Sequence, residues 1–134
     1  MPRVDRTHRD LIIWQKARRL AGAVYLVTQH FPAQELHGLT SQARRAAISI
    51  ISNISEGAGR CTDKDMLHYL YIARGSILEL EAQMLLATDL KFLSPGHQIL
   101  EDINELGRLS NGLIRAVPIR VQKTRSGRHL PPAT

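Results

Sequence analysis

The sequence is poor in the residues that stabilise small secreted domains or span membranes. Cys61 is the one cysteine in 134 residues, which excludes a disulfide within the chain and predicts a reduced, cytoplasmic setting. No apolar run reaches the roughly 18 residues of a membrane span, and no signal peptide is recognisable. We therefore expect a cytoplasmic protein that does not interact with a membrane.

Aromatic residues are also scarce, with one tryptophan, three tyrosines and two phenylalanines. The apolar residues are mostly leucine, isoleucine and alanine, a composition that suits helices packed on helices. They recur at spacings of three and four, and no stretch alternates with the period of two that is typical of a strand. The sequence therefore predicts a single all-α domain.

The net charge of +6 is unevenly distributed along the chain. Residues 118–134 contain four bases and no acid, while residues 11–117 together contribute only +1. Within that body, residues 11–62 carry +4 and residues 63–117 carry −3. This pattern predicts a folded domain with a basic and an acidic half, followed by a basic tail.

The stretch from Leu39 to Gly59 has the strongest pattern. At about 100° per residue its apolar side chains form one arc of small and β-branched groups. The members of this arc are Leu39, Ala43, Ala46, Ala47, Ile50, Ile51, Ile54 and Ala58. We expect this stretch to form a helix that a neighbouring helix can approach closely. Gly57 and Gly59 are expected to end the helix, because glycine can adopt the left-handed conformation that a helix C-terminus favours.

Three more amphipathic helices are predicted around this one. The first covers residues 10–30, with Asp10 as its N-cap. The third covers residues 63–91 and follows a cap at Thr62. Four helices with short connections predict an antiparallel up-down-up-down bundle.

The fourth helix is predicted to begin at Ser94-Pro95, a cap followed by proline, and to end before Pro118. Residues 1–9 are polar and without periodicity, so we interpret them as a flexible arm. Residues 10–117 form the bundle, and residues 118–134 are expected to be a disordered basic tail.

The predicted third helix carries two apolar stripes. The first consists of Met66, Leu70, Ala73, Ile77, Leu80 and Met84. The second consists of Leu67, Tyr71, Leu78, Ala82 and Leu85. Only one stripe can face its own bundle, so Leu67, Tyr71, Leu78 and Leu85 are predicted to form an oligomer interface. Gly75-Ser76 in mid-helix predicts the close approach of another backbone.

Residues for catalysis or metal binding are not arranged in any usable pattern. A di-metal site in a bundle needs two Glu-x-x-His motifs, and the nearest match is a single Asp65-x-x-His68. Bases beside Cys61 can activate a thiol, but an incidental small residue in a turn explains Cys61 better. No nucleophile elbow, phosphate-binding loop or zinc signature is present. We expect no enzyme activity, no metal and no cofactor.

The polar side of the second helix admits two interpretations. Arg45, Ser49, Asn53 and Glu56 are spaced along one side of this helix. They can contact a ligand or partner, or they can form a hydrogen-bonded seam that fixes helix register, with Glu56 paired to Arg45 or Arg74.

Several short motifs occur together in a recognisable order. They are Leu11-Ile-Ile-Trp-Gln-Lys-Ala17, Tyr25, Phe31-Pro32, Leu39-Thr-Ser-Gln42, Arg44-Arg-Ala46, Ser49-Ile50, Asn53-Ile-Ser-Glu-Gly57, Tyr71-Ile-Ala-Arg-Gly-Ser76 and Glu79-Leu80. With these motifs, residues 10 to about 117 resemble the bacterial four-helix-bundle proteins encoded in 23S ribosomal RNA intervening sequences.

The resemblance implies a ring-shaped homopentamer without established enzyme activity. It also implies kinship with the accessory protein of diversity-generating retroelements, which works with a reverse transcriptase and binds nucleic acid. This chain differs from that relative in charge, because its body carries only +1.

We therefore predict a non-enzymatic homo-oligomer that binds RNA or DNA without sequence specificity, alone or beside a nucleic-acid enzyme such as a reverse transcriptase. The candidate contacts are Lys16, Arg18, Arg19, Arg44, Arg45, Arg120, Lys123, Arg125 and Arg128. The alternative is a structural scaffold that binds only proteins. Convergence of the bases on one surface would distinguish the nucleic-acid-binding protein from the protein-binding scaffold.

Overall fold

Residues 11–117 are described by a computed structural model of the protein. They form four α-helices and contain no strand, which confirms the predicted all-α class for this part of the chain. The helices are α1 (Ile12–Thr28), α2 (Ser41–Ala58), α3 (Asp63–Asp89) and α4 (Gln98–Ala116). The predicted flexible arm and disordered tail lie outside the described residues.

Side-chain contacts fix how neighbouring helices lie against each other. The Trp14 indole N–H donates to Ser55 Oγ at 2.7 Å, so the start of α1 lies beside the end of α2. Arg44 Nε donates to Thr28 Oγ1 at 2.9 Å, which joins the end of α1 to the start of α2.

The other contacts place α3 and α4. Ser49 of α2 shares a hydrogen bond with Ser76 of α3, with 2.7 Å between the two Oγ atoms. Lys16 of α1 pairs with Glu105 of α4 at 3.1 Å. Each helix therefore has contacts with its neighbours in the sequence, and α4 also packs against α1.

The core is built from aliphatic side chains of all four helices, as the composition predicts. Its largest fully buried members are Val24, Ile50, Ile54, Leu67, Leu80, Met84, Ile99, Ile103 and Leu106. Phe31 and Phe92 pack at one end of it, with ring centroids 5.6 Å apart. The apolar arc of α2 is on the buried side, as its periodicity indicates.

The two stripes of α3 have different surroundings. In the first, Leu70, Ala73, Ile77, Leu80 and Met84 are buried, as expected. In the second, Tyr71, Leu78 and Leu85 are exposed.

Leu67 departs from the prediction for the second stripe. It is only 1% exposed and packs with Leu70, Ile114 and Val117, so it belongs to the core of its own chain. α4 covers Leu67 because α4 continues to Ala116, beside the first turns of α3.

Two predictions of helix ends are wrong. Helix α4 begins at Gln98 rather than at Ser94-Pro95, and the ring of His97 caps it by accepting the Ile99 N–H at 3.0 Å. Helix α1 begins after Leu11, which occupies the N-cap position without a side-chain hydrogen bond. The predicted cap, Asp10, lies outside the described residues.

Thr62 behaves as predicted, because its hydroxyl accepts the Asp65 N–H at 3.1 Å and caps α3. The other end of α3 stops before Lys91, whose φ of 68° lies in the left-handed region that terminates helices.

The glycines depart from their expected roles. A Cβ on Gly57 would lie 3.1 Å from the Tyr69 Cβ and 3.3 Å from the Met66 carbonyl oxygen, so Gly57 permits close contact between α2 and α3. Among residues 11–117, a Cβ on Gly75 would meet nothing within 4 Å, so Gly75 makes no close approach to another backbone in this part of the chain. Gly59 ends α2 with a φ of −86°, which is not left-handed.

None of the helices α1 to α4 combines the length and the apolar composition that a membrane span requires.

Candidate nucleic-acid interface

The helices divide the charge of the domain between two sides. Helix α1 carries Lys16, Arg18 and Arg19 without an acid, and α2 adds Arg44 and Arg45 beside a single glutamate. Helix α3 carries five acids and two bases. Since α1 packs on α2, the uneven charge of the sequence becomes a basic side of the folded domain.

Arg44 is held in place by α1. Its Nε donates to Thr28 Oγ1 at 2.9 Å, and a terminal nitrogen donates to the Tyr25 carbonyl oxygen at 3.4 Å. The guanidinium also lies over the Tyr25 ring, 4.6 Å from its centroid. The Thr28 hydroxyl in turn donates to the Val24 carbonyl oxygen at 2.7 Å. A fixed guanidinium loses little side-chain entropy when it binds an anion.

A surface groove of about 430 Å³ begins beside Arg44. We define the α1–α2 groove by Tyr25, Leu36, His37, Arg44, Arg45 and Ile48. Its three large apolar side chains are well exposed, with Tyr25 at 39%, Leu36 at 52% and Ile48 at 47%. The groove therefore combines an apolar surface with two guanidinium groups.

The predicted bases of α1 differ in their environment. Lys16 is paired with Glu105, so its charge is largely neutralised within the chain. Arg18 is exposed and lies 5.8 Å from the centroid of the Trp14 ring. Arg19 is exposed.

Arg18 lies on the same side of the domain as the two arginines of α2, whereas Lys16 points toward α4. Arg18 and Tyr25 are seven residues apart and share one side of α1. The structure thus brings Arg18 to the same side as Arg44 and Arg45, whereas the ion pair of Lys16 turns it toward α4. The candidate bases Arg120, Lys123, Arg125 and Arg128 lie outside the described residues.

The polar seam of α2 is only partly assembled as proposed. The Asn53 amide donates to the Ser49 carbonyl oxygen at 2.8 Å and to Ser49 Oγ at 3.2 Å. Ser49 Oγ also bonds Ser76 Oγ, so these residues link α2 to α3 and fix their register. Ser76, which the sequence interpretation did not include, completes this cluster.

Glu56, Arg45 and Arg74 lie apart from that cluster. Glu56 pairs with Arg60 at 2.6 Å, one turn further along the chain, and not with Arg45 or Arg74. The Glu56 carboxylate, and Tyr69 beside it, raise the pKa of Arg60 above its ordinary value. Arg74 lies 5.0 Å from the centroid of the Tyr71 ring, and Arg45 lines the α1–α2 groove.

Sequence reasoning did not find the groove itself. Two of its apolar members, Leu36 and Ile48, come from a connection and from the outer side of α2, where no periodicity marks them. The available signal was Tyr25, an aromatic residue outside the buried stripe of α1.

Residues 11–117 contain no group of three or more histidine, cysteine or acidic side chains that can hold a metal ion. Cys61 is a free, exposed thiol. The expectation that the protein is not an enzyme stays a prediction.

Comparison with known proteins adds a family to this geometry. No curated protein matches the chain in sequence. The sequence profile of the 23S rRNA-intervening sequence proteins matches residues 9–112, which include α1, α2, α3 and most of α4. The chain therefore belongs to the 23S rRNA-intervening sequence protein family.

Proposed function

We propose that this protein is a non-enzymatic, cytoplasmic homo-oligomer that binds RNA or DNA without sequence specificity. The observation that carries the proposal is the basic side of α1 and α2. There Arg44 is fixed against α1, and Arg18, Arg19 and Arg45 are exposed without a carboxylate partner among residues 11–117.

The architecture that we propose is an antiparallel up-down-up-down bundle. The pairs Trp14–Ser55 and Thr28–Arg44 support opposite directions for α1 and α2. The proximity of Gly57 to Tyr69 and of Ser49 to Ser76 supports the same relation for α2 and α3.

Phosphate groups are the part of a nucleic acid that these bases suit best. Arginine forms bidentate contacts with phosphate, and such contacts carry no sequence information. Within residues 11–117 the aromatic side chains beside these bases are already engaged, because Trp14 packs against the core and donates to Ser55, and the Tyr25 ring lies against the Arg44 guanidinium. The expected binding is therefore salt-sensitive and independent of sequence.

Assembly into a homo-oligomer would increase the avidity of such a small basic patch for nucleic acid. A few exposed guanidiniums on one chain make few phosphate contacts, whereas several copies on one particle raise avidity by roughly a hundredfold or more. We propose five copies on the basis of the sequence resemblance. A nucleic-acid enzyme such as a reverse transcriptase is the partner that fits an accessory role.

A second function is favoured by a different observation. The apolar members of the α1–α2 groove are exposed on one side of the domain, and Tyr71, Leu78 and Leu85 of α3 are exposed on another. Apolar patches of this kind are typical of protein interfaces. A scaffold that binds only proteins would use both surfaces without any role for nucleic acid.

Fluorescence anisotropy with a labelled single-stranded RNA and a matched DNA duplex tests the proposal. Affinity should fall linearly on a log–log plot against salt, with a slope near −0.9Z for duplex and about −0.7Z for a single strand, where Z is the number of phosphates contacted.

Three variants locate the contact. Arg18→Gln with Arg19→Gln, and a chain ending at Val117, should each bind more weakly with a shallower slope. Arg108→Gln, an exposed base of α4 paired with Glu101 at 3.2 Å, is the matched control and should leave binding unchanged. Absence of binding by the full chain at low salt would contradict the nucleic-acid proposal and favour the scaffold.

A further inference from the structure

The exposed side of α3 has the spacing of a helix–helix interface. Tyr71, Gly75, Leu78, Ala82 and Leu85 follow one another at intervals of four, three, four and three, and all five are exposed. We call these residues the outer stripe of α3. Large residues at Tyr71, Leu78 and Leu85 alternate with Gly75 and Ala82, which leaves spaces into which an opposing surface can pack. Within residues 11–117 only the Arg74 guanidinium is seen over a ring of the outer stripe, and Tyr71 is still 41%, Leu78 58% and Leu85 50% exposed.

The part of the outer stripe from Leu78 to Leu85 lies at the same height along the bundle as the α1–α2 groove. Ser49 touches Ser76, and from this pair α2 and α3 extend in opposite directions. Counting residues from this contact places Leu85 level with Thr40 and Leu78 level with Ala47. These are the levels of the groove, which extends along α2 from its start to Ile48.

Unpaired charges beside the two surfaces also match in height and are opposite in sign. The same counting places Glu81 level with Arg44 and Glu79 one turn or less from Arg45. Glu79 and Glu81 flank Leu78 and Ala82 of the outer stripe, and neither pairs with a base within residues 11–117. Arg45 likewise has no carboxylate partner within the described part of the chain.

We propose that the outer stripe of α3 in one copy of this protein docks into the α1–α2 groove of the next copy. This inference rests on the proposed homo-oligomer and names the two surfaces that form it. Leu78 and Leu85 would fill the groove against Tyr25 and Ile48, while Glu79 and Glu81 face Arg44 and Arg45 of the neighbour.

The contact uses two different surfaces of each chain, so it is heterologous. Repetition of such a contact generates a closed ring when the copies share one height, and a helical filament when each copy is displaced along the axis. The equal heights of the groove and of the part of the outer stripe from Leu78 to Leu85 favour the ring. The contact also affects nucleic-acid binding, because Arg44 and Arg45 would both face the neighbouring copy in the assembled particle. Of the basic side of α1 and α2, Arg18 and Arg19 would then remain for phosphate, together with the bases after Val117.

The contact can be tested with two variants, each of which places a charge in the apolar part of one surface. Leu78→Glu damages the outer stripe and keeps the groove, whereas Ile48→Glu damages the groove and keeps the stripe. Both side chains are exposed in the single chain, so the helix content by circular dichroism should be unchanged. Each variant alone should sediment as one chain of 15.0 kDa.

A mixture of the two variants gives the decisive result. One intact stripe and one intact groove remain in such a mixture, and they should form a dimer of one copy each at concentrations up to about 100 μM. The dimer cannot grow, because its outer surfaces are both damaged. Failure of the mixture to associate would overturn the proposal, as would assembly of either variant to the size of the unchanged protein.

The charges and a control complete the test. Arg45→Glu and Glu81→Arg should each weaken assembly by about tenfold or more, and the double variant should recover most of it. Leu26→Glu changes an exposed leucine outside both surfaces and should assemble normally. An equal loss in Leu26→Glu would contradict the assignment.

The failure of this inference can be told apart from the failure of the proposed homo-oligomer. If the unchanged protein is itself a monomer, the proposed homo-oligomer is wrong. If the unchanged protein assembles and the Leu78→Glu variant also assembles, only this inference is wrong.

Discussion

The two faces of α3 are made of similar residues, but one face is buried and the other is exposed. One face carries Leu70, Ile77, Leu80 and Met84 and is buried, while the other carries Tyr71, Leu78 and Leu85 and is exposed. Both faces have helical periodicity, so periodicity alone cannot tell which face the chain covers. The answer comes from α2 and α4, which pack on one side of α3 and leave the other free.

The largest difference between the faces is expected on truncation of a leucine. Leu80→Ala, at a fully buried position, should lower the free energy of unfolding by about 2–5 kcal/mol, because it leaves a cavity in the core. Leu78→Ala should change the unfolding of a single chain by less than about 0.5 kcal/mol. Urea unfolding at low and high protein concentration separates the two effects, since a loss at Leu78 should appear only where chains associate. Equal losses at low concentration would mean that both faces are buried in one chain.

Two glycines give the next largest contrast. Gly57→Ala should destabilise the chain by about 1–3 kcal/mol, because the new Cβ would lie too close to Tyr69 and to the backbone of Met66. Gly75→Ala should stabilise a single chain by up to about 1 kcal/mol, because the methyl group meets no atom of residues 11–117 within 4 Å and helix propensity improves. Thermal unfolding of the two variants side by side checks the signs. A stabilised Gly57→Ala variant would refute the close packing of α2 on α3.

The hydroxyl pair between α2 and α3 should have a smaller effect. Ser49→Ala or Ser76→Ala alone should cost about 1–2 kcal/mol, since each leaves its partner without the shared hydrogen bond. The double variant should cost less than the two single costs together. Strict additivity in this double-mutant cycle, measured by urea unfolding, would show that the hydroxyls do not interact.

The smallest effect is expected on the acidic side of the bundle. Arg108 and Glu101 form an exposed ion pair, with side chains 67% and 62% accessible. Arg108→Ala should therefore change the free energy of unfolding by less than about 0.5 kcal/mol, and less again at high salt. A loss above 1 kcal/mol in the same urea experiment would indicate an interaction that the described residues do not show.

Local signals in the sequence predicted much of the fold. Thr62 followed by Asp65 marked a helix start correctly, because a cap depends only on neighbouring residues. The buried arc of α2 and the first stripe of α3 followed from periodicity in the same way.

Features that depend on partners distant in the sequence could not be predicted. Leu67 is covered by Ile114 and Val117, whose position depends on how far α4 extends along α3. Glu56 forms its ion pair with Arg60 instead of Arg45 or Arg74, because the chain turns back immediately after α2. Arg44 was predicted as a surface base, and its attachment to Thr28 depends on the packing of α1 against α2.

Sedimentation velocity of the full chain with a fluorescent oligonucleotide is the most direct test of the proposed function. We predict that protein and label sediment together at low salt as a particle of about five chains plus nucleic acid, and that the label is released at high salt while the particle stays intact. Sedimentation of the protein as a single chain, with the label remaining free at low salt, would contradict it.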